Sequence, residues 1–169
     1  MCVFLEPIAL YHRRDLHQPD DARWLTAYPS AADGEAHVPI GVGREHGDGP
    51  DLTLVTFGNG LPTSLRVAES LRRQGAGPRV LDLRWLAPLP VADLVASAEA
   101  TGRVLVVDET RRSGGVSESV VTALLDSGFT GAVARVTSDD SFIPLGAAAR
   151  HVLLGETAIE DAAWALLGR

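Results

Sequence analysis

The residues with the most chemical potential sit in two glycine-rich stretches. Gly58-Asn59-Gly60-Leu61-Pro62-Thr63 follows an apolar run and is in turn followed by Asp82. A dinucleotide site uses such a turn to lay a pyrophosphate on a helix N-terminus, with an acidic residue further on for a ribose hydroxyl. Its third glycine lets helix and strand approach closely, and here Thr63 takes that place, so a purely structural turn explains the stretch better. Ser113-Gly114-Gly115 comes after Asp108-Glu109 and the pair Arg111 and Arg112. Free N–H groups opening a helix could hold an anion there, and the two arginines add positive charge. The same glycines could simply make a tight turn, so both readings stand. No nucleophile and base can be paired by spacing.

The other candidates are weaker. Gly47-Asp48-Gly49 imitates the start of a thiamine diphosphate motif, in which the aspartate and a later asparagine give oxygen ligands to magnesium. No asparagine occurs beyond Asn59, and Asn59 is too near, so a linker turn is expected. His12, His17, His37, His46 and His151 show no metal-ligand spacing; His12 and His17, five apart, would not share a helix face. The single cysteine, Cys2, excludes an internal disulfide and is expected as a small buried hydrophobe. A net charge of -7 over 169 residues argues against nucleic acid, which needs a basic face. The absence of a long apolar run or a signal pattern argues for a cytoplasmic chain with no membrane partner.

Residues 1–6 (MCVFLE) are apolar enough for a short strand, yet no sheet of their own precedes them. Residues 7–50 mix Pro, Asp, His and Gly without a period and read as a loosely held interdomain linker. A strand at Ile40–Glu45 closes it. Regular alternation then begins. Strands are predicted at Asp51–Gly58, Arg79–Leu83, Arg103–Asp108 and Ala132–Thr137. Between them lie a helix striped by Leu61, Leu65, Ala68 and Leu71, a second over Val91–Thr101 burying Leu94, Val95 and Ala98, and a third carrying Val120, Val121, Leu124 and Leu125. Gly75, Gly102 and Gly128 end these helices. A last helix starts at Thr157, where Thr157 and Glu160 form a capping box, and buries Ile159, Ala163, Leu166 and Leu167. Strands alternating with helices predict a three-layer α/β/α domain on a mostly parallel sheet over residues 40–169.

Taken in order, DLTLVTFGNG (51–60), DLRWLAPLP (82–90), RVLVVDETRRSGGVSE (103–118) and RVTSDDSFIPLG (135–146) resemble the carboxy-terminal domain of the transketolase-like family. The likeness is greatest to the beta subunit, or beta-like half, of the decarboxylating component of thiamine diphosphate-dependent 2-oxo acid dehydrogenases. VFLEP (3–7) resembles the strand ending the preceding pyrimidine-binding domain of that subunit. The resemblance implies a five-stranded mixed sheet with one antiparallel edge strand, Ile40–Glu45, and a switch point flanked by the Gly58 and Asp108 loops. Residues 1–39 would be the last strand of an absent domain plus a linker.

In that family thiamine diphosphate and magnesium lie between two other domains. None of their motifs is present, so no catalytic, cofactor or metal residue is assigned, and the chain by itself is expected to be inactive. The resemblance implies an assembly role, with an alpha subunit or other domains of the same enzyme, a second beta subunit, and the basic subunit-binding domain of a dihydrolipoyl acyltransferase as partners. Interface candidates for that basic domain are Asp108, Glu109, Glu118 and Asp126, with the terminal carboxylate of Arg169. The alternatives are the same domain of a transketolase or deoxyxylulose phosphate synthase, or a stand-alone anion- or nucleotide-binding α/β module.

Overall fold

The computed structural model describes residues 1–28, 30 and 37–169. Its elements are β1 (Arg44–His46), β2 (Leu52–Thr56), α1 (Gly60–Arg73), β3 (Pro78–Asp82), α2 (Val91–Thr101), β4 (Arg103–Arg111), α3 (Val116–Asp126), β5 (Ala132–Ser138) and α4 (Glu156–Leu167). Short 3-10 turns occupy Ile8–Leu10 and Gly146–His151. The sheet has five strands in the order β1-β3-β2-β4-β5. β1 runs antiparallel to β3 and the rest are parallel. The antiparallel edge strand is therefore present, but it is three residues long and begins at Arg44 instead of Ile40.

Two apolar clusters separate the layers. One holds Leu54, Val67, Leu71, Leu105, Val107, Ile159 and Ala163, joining α1 and α4 to one sheet face. The other holds Val55, Leu81, Leu94, Ala98, Val106, Val120 and Leu124, under α2 and α3. β4 contributes Leu105 and Val107 to the first and Val104 and Val106 to the second, because successive side chains in a strand point to opposite faces. That is why its sequence is a near-continuous apolar run.

Several local expectations are corrected. In α1 the buried positions are Gly60, Pro62, Ser64, Val67, Ala68 and Leu71, with Leu61 and Leu65 only partly buried at the margin. In α2 Ser97 is buried where Val95 was expected; in α3 Leu125 is 67% exposed. Gly155 precedes α4 and makes no side-chain cap, so the capping box does not form. Glu160 instead reaches α1, accepting hydrogen bonds from Ser70 Oγ at 3.1 Å and from Gln74 Nε2. A tertiary partner has outcompeted the local one. Residues 1–6 form no strand, and Val3, Phe4 and Leu5 are 75%, 80% and 70% exposed. Cys2 is likewise exposed, not buried. A strand is only as stable as its partners, and these residues have none here.

The linker is more organised than its composition suggests. Asp21 accepts hydrogen bonds from the main-chain N–H groups of Leu16, His17, Gln18 and Arg23 at 2.8–3.0 Å. Asp15 accepts from Asp20 and Ala22, both at 2.9 Å. Asp20 and Ala22 both have left-handed backbones, with φ of 63° and 49°. Such a conformation costs a non-glycine residue about 1–3 kcal/mol, so it persists where its surroundings determine it. Here each strained residue has its N–H fixed by an oxygen of Asp15. Desolvation pushes the Asp21 carboxyl up, but its four N–H donors together hold it well below the usual carboxylate range.

Candidate functional site at the switch point of the sheet

The chain leaves β2 to one side, for β3, and later returns to the other, for β4. The carboxyl ends of β2 and β4 thus flank the switch point, where open α/β sheets usually form a ligand crevice. The two glycine-rich stretches lie at these ends. They put the N-termini of α1 and α3 side by side on opposite faces of the sheet.

At α1 the close approach falls on Gly60, not on the fingerprint's third position. A Cβ on Gly60 would lie 2.2 Å from Thr56 Oγ1, which itself donates to the Val107 carbonyl at 3.0 Å. Gly58 has a φ of 56° and carries the chain round the turn. The side chains of Pro7 and Glu109 both approach it, 3.6 Å and 4.0 Å from where its Cβ would be. Glu109 comes from the end of β4 and sets its carboxylate over the start of α1. Burial pushes that carboxyl up; the side-chain and main-chain hydrogen bonds of Asn59 pull it partway back, and the charge of Asp108 adds to the rise. Asn59 Oδ1 is buried without a hydrogen-bond partner in the described structure. Asp82 ends β3 and accepts from Arg84 N at 3.2 Å; burial pushes its carboxyl up, with Arg84 and Arg44 opposing.

At α3 the acceptors are again the chain's own. Asp108 is fully buried. Its Oδ1 accepts from Thr110 N at 2.9 Å and Thr110 Oγ1 at 2.7 Å, and its Oδ2 accepts from Ser117 N at 2.7 Å. Gly115 must be glycine, since a Cβ there would lie 2.7 Å from the Arg111 carbonyl and 2.9 Å from Asp108 Oδ2. Ser113 donates from N at 2.8 Å and from Oγ at 2.6 Å to Asp140. Those two bonds hold the Asp140 carboxyl below the usual range, with Arg111 contributing. Asp140, from the loop after β5, thus takes the Ser113 donors of the candidate anion turn. Sequence reasoning missed this pairing, because nothing in the spacing of residues 113 and 140 marks it.

The interface candidates do not form one patch. Asp108 is withdrawn, because it is buried and its oxygens are committed to the turn. Glu109 is half-buried. Glu118 is exposed in the first turn of α3, with Arg135 Nη1 3.9 Å from its carboxylate. Asp126 ends the same helix, about 12 Å away at 1.5 Å per residue. Arg169 follows α4 on the other face of the sheet, its guanidinium 5.4 Å from the Trp164 ring centroid. Only Glu109 and Glu118 share the switch-point end.

Asp48 and Asn59 lie beyond opposite ends of β2, which spans five residues, or about 16 Å. They cannot share a cation. The Asp48 carbonyl accepts from Arg79 Nη2 at 3.0 Å, and Gly49 abuts Gly77, so the Gly47-Asp48-Gly49 stretch is a packed turn and not a flexible one. Among the described residues no group of three His, Cys, Asp or Glu side chains could hold a metal. His46, half-buried on β1, is pushed down by burial and by Arg44 and Arg84. No helix in the described residues is long and apolar enough to cross a membrane.

Comparison with known proteins accords with this architecture. The beta subunit of the pyruvate dehydrogenase E1 component from Staphylococcus epidermidis is 32% identical over 145 residues, 84% of this chain and 41% of that protein. Its counterpart from Bacillus subtilis is 30% identical over 149 residues, 86% of this chain and 42% of its own length. The chain thus spans about two fifths of the relatives it matches. A solved split-gene transketolase, described as an inactive beta4 tetramer, superposes with a TM-score of 0.71 at 26% identity, covering 83% of this chain and 46% of the other. The 2-oxoglutarate:ferredoxin oxidoreductase of Magnetococcus marinus shares the fold, with a TM-score of 0.55 at 15% identity over 74% of this chain and 19% of its own. The family described as transketolase, C-terminal domain, matches residues 41–159, and with the mixed sheet and its switch point in place, the chain belongs to that family.

Proposed function

We propose that this chain is an assembly domain of a thiamine diphosphate-dependent 2-oxo acid dehydrogenase and has no catalytic centre of its own. One observation carries the reading: the α3 N-terminus is already met by Asp108, whose Oδ2 accepts from Ser117 N, and the Glu109 carboxylate lies beside the turn that opens α1. A diphosphate would have to displace them. In the parent enzyme the cofactor and magnesium belong to other domains, and oxidative decarboxylation with acyl transfer to a lipoyl group takes place there. Its partners on this reading are an alpha subunit or further domains, a second beta subunit, and a basic subunit-binding domain of an acyltransferase. On this reading Glu118 and the exposed part of Glu109 meet that basic domain.

Calorimetric titration with thiamine diphosphate and magnesium tests the first half. No saturable heat is expected, and micromolar binding abolished by opening the Asp108 turn would overturn it. For the second half, Glu118→Lys should slow association with the basic domain at low salt and matter less as salt rises, because exposed charges are screened within ~10 Å at 0.1 M. The same domain of a transketolase is the second reading, supported by the 0.71 TM-score. It calls for no basic acyltransferase domain, so the association experiment separates the two.

A further inference from the structure

We propose that the loop of residues 12–25 is a preformed docking element for an acidic protein segment, presented by Arg13 and Arg14. His12, Arg13, Arg14 and Asp15 line a depression of about 370 Å³ together with Ala9. Arg13 and Arg14 form no ion pair with any described residue, and the buried Nε of Arg13 has no hydrogen-bond partner. Each guanidinium is a fixed fork of donors that a carboxylate meets bidentately, so an external carboxylate is the acceptor that matches this unpaired pair.

None of the loop's three acids, Asp15, Asp20 and Asp21, forms an ion pair with either arginine. Asp15 and Asp21 turn their oxygens inward, onto six main-chain N–H groups. They act as the frame, and the arginines are what the frame displays. The Trp24 N–H closes it, donating to the Arg14 carbonyl at 3.0 Å, so the main chain at Arg14 is tied to the far side of the loop. The same bookkeeping decides the ligand class. A phosphate cradle needs free main-chain N–H groups, and those of residues 16, 17, 18, 20, 22 and 23 are already engaged. What is left is a pair of long side chains at an open depression, suited to spaced carboxylates along a peptide. This surface takes a partner opposite in charge to the one proposed for Glu118, and it stands or falls separately.

The experiment uses the whole chain and a fluorescein-labelled poly-glutamate peptide, read by anisotropy at low and moderate salt. Saturable binding is expected at low salt, weakened about tenfold (about 1.4 kcal/mol) in Arg13→Ala/Arg14→Ala and little changed in Arg150→Ala, an exposed arginine elsewhere. The frame variant Asp21→Ala is decisive. It removes a negative charge beside the arginines, so simple charge attraction predicts tighter binding. A docking element that depends on its frame predicts weaker binding, as does Asp15→Ala. Circular dichroism and the melting transition report that the core is intact in each variant. Tighter or unchanged binding by both aspartate variants, unchanged binding by the double arginine variant, or no saturable binding at low salt would each overturn the proposal.

Discussion

Burial pushes the Glu109 carboxyl above its ordinary 4.5, so the folded chain holds that proton more tightly than the unfolded chain does. The stability this contributes is fully present below the unfolded value and is lost as pH rises through the folded one. At pH 7 ionised Glu109 therefore opposes folding. Glu109→Gln should raise the melting temperature at pH 7, and the advantage should vanish below about pH 4, as thermal scans across that range would show. Asp108 is held by hydrogen bonds inside its turn. Asp108→Ala strips acceptors from two main-chain N–H groups in a buried turn and should cost about 3 kcal/mol in denaturant unfolding. A cost under about 0.5 kcal/mol would mean that water or a neighbour replaces the carboxylate.

Helices here are held by faces that their own patterns only approximate. Leu71 is fully buried in α1, while Leu125 in α3 is 67% exposed, although both continue an apolar stripe. Leu71→Ala should cost about 2–5 kcal/mol and Leu125→Ala less than about 0.5 kcal/mol, measured by urea unfolding. Comparable losses would mean that α3 is rotated from the position described. The junction of β2 and α1 is tighter still. Gly60→Ala drives a methyl into Thr56 Oγ1 and should destabilise by about 1–3 kcal/mol; Thr56→Ser would not relieve it, because the contact is with the hydroxyl oxygen itself.

For the molecule as a whole, the two apolar clusters lie on opposite sides of one sheet and share β4. Weakening either side should therefore lower one common transition. Calorimetry of Leu105→Ala and Val106→Ala should show a single shifted peak in each. Two resolved peaks would show that the layers melt separately. Amide exchange should find residues 104–106 near the global limit and residues 1–6 close to unprotected, since the former are paired on both sides in the sheet and the latter join no strand.

By itself the sequence determined the order of elements, the mostly parallel sheet and the ends of most helices. Those follow from local period, from β-rich apolar runs and from glycines that only a left-handed turn requires. It also made the likeness of residues 51–146 to a transketolase C-terminal domain legible. The candidate site was legible only in part. The two turns were located, but which acceptor meets which donor was decided by tertiary structure. Asp140 reaches Ser113 across 27 positions, Glu160 leaves its own helix end for Ser70 and Gln74, and Asp108 goes fully inside while its neighbour Glu109 is only half-buried. A carboxylate binds whichever N–H or O–H the fold brings within about 3 Å, and along the chain many such donors are equivalent. Only closing the sheet and packing its layers chooses among them.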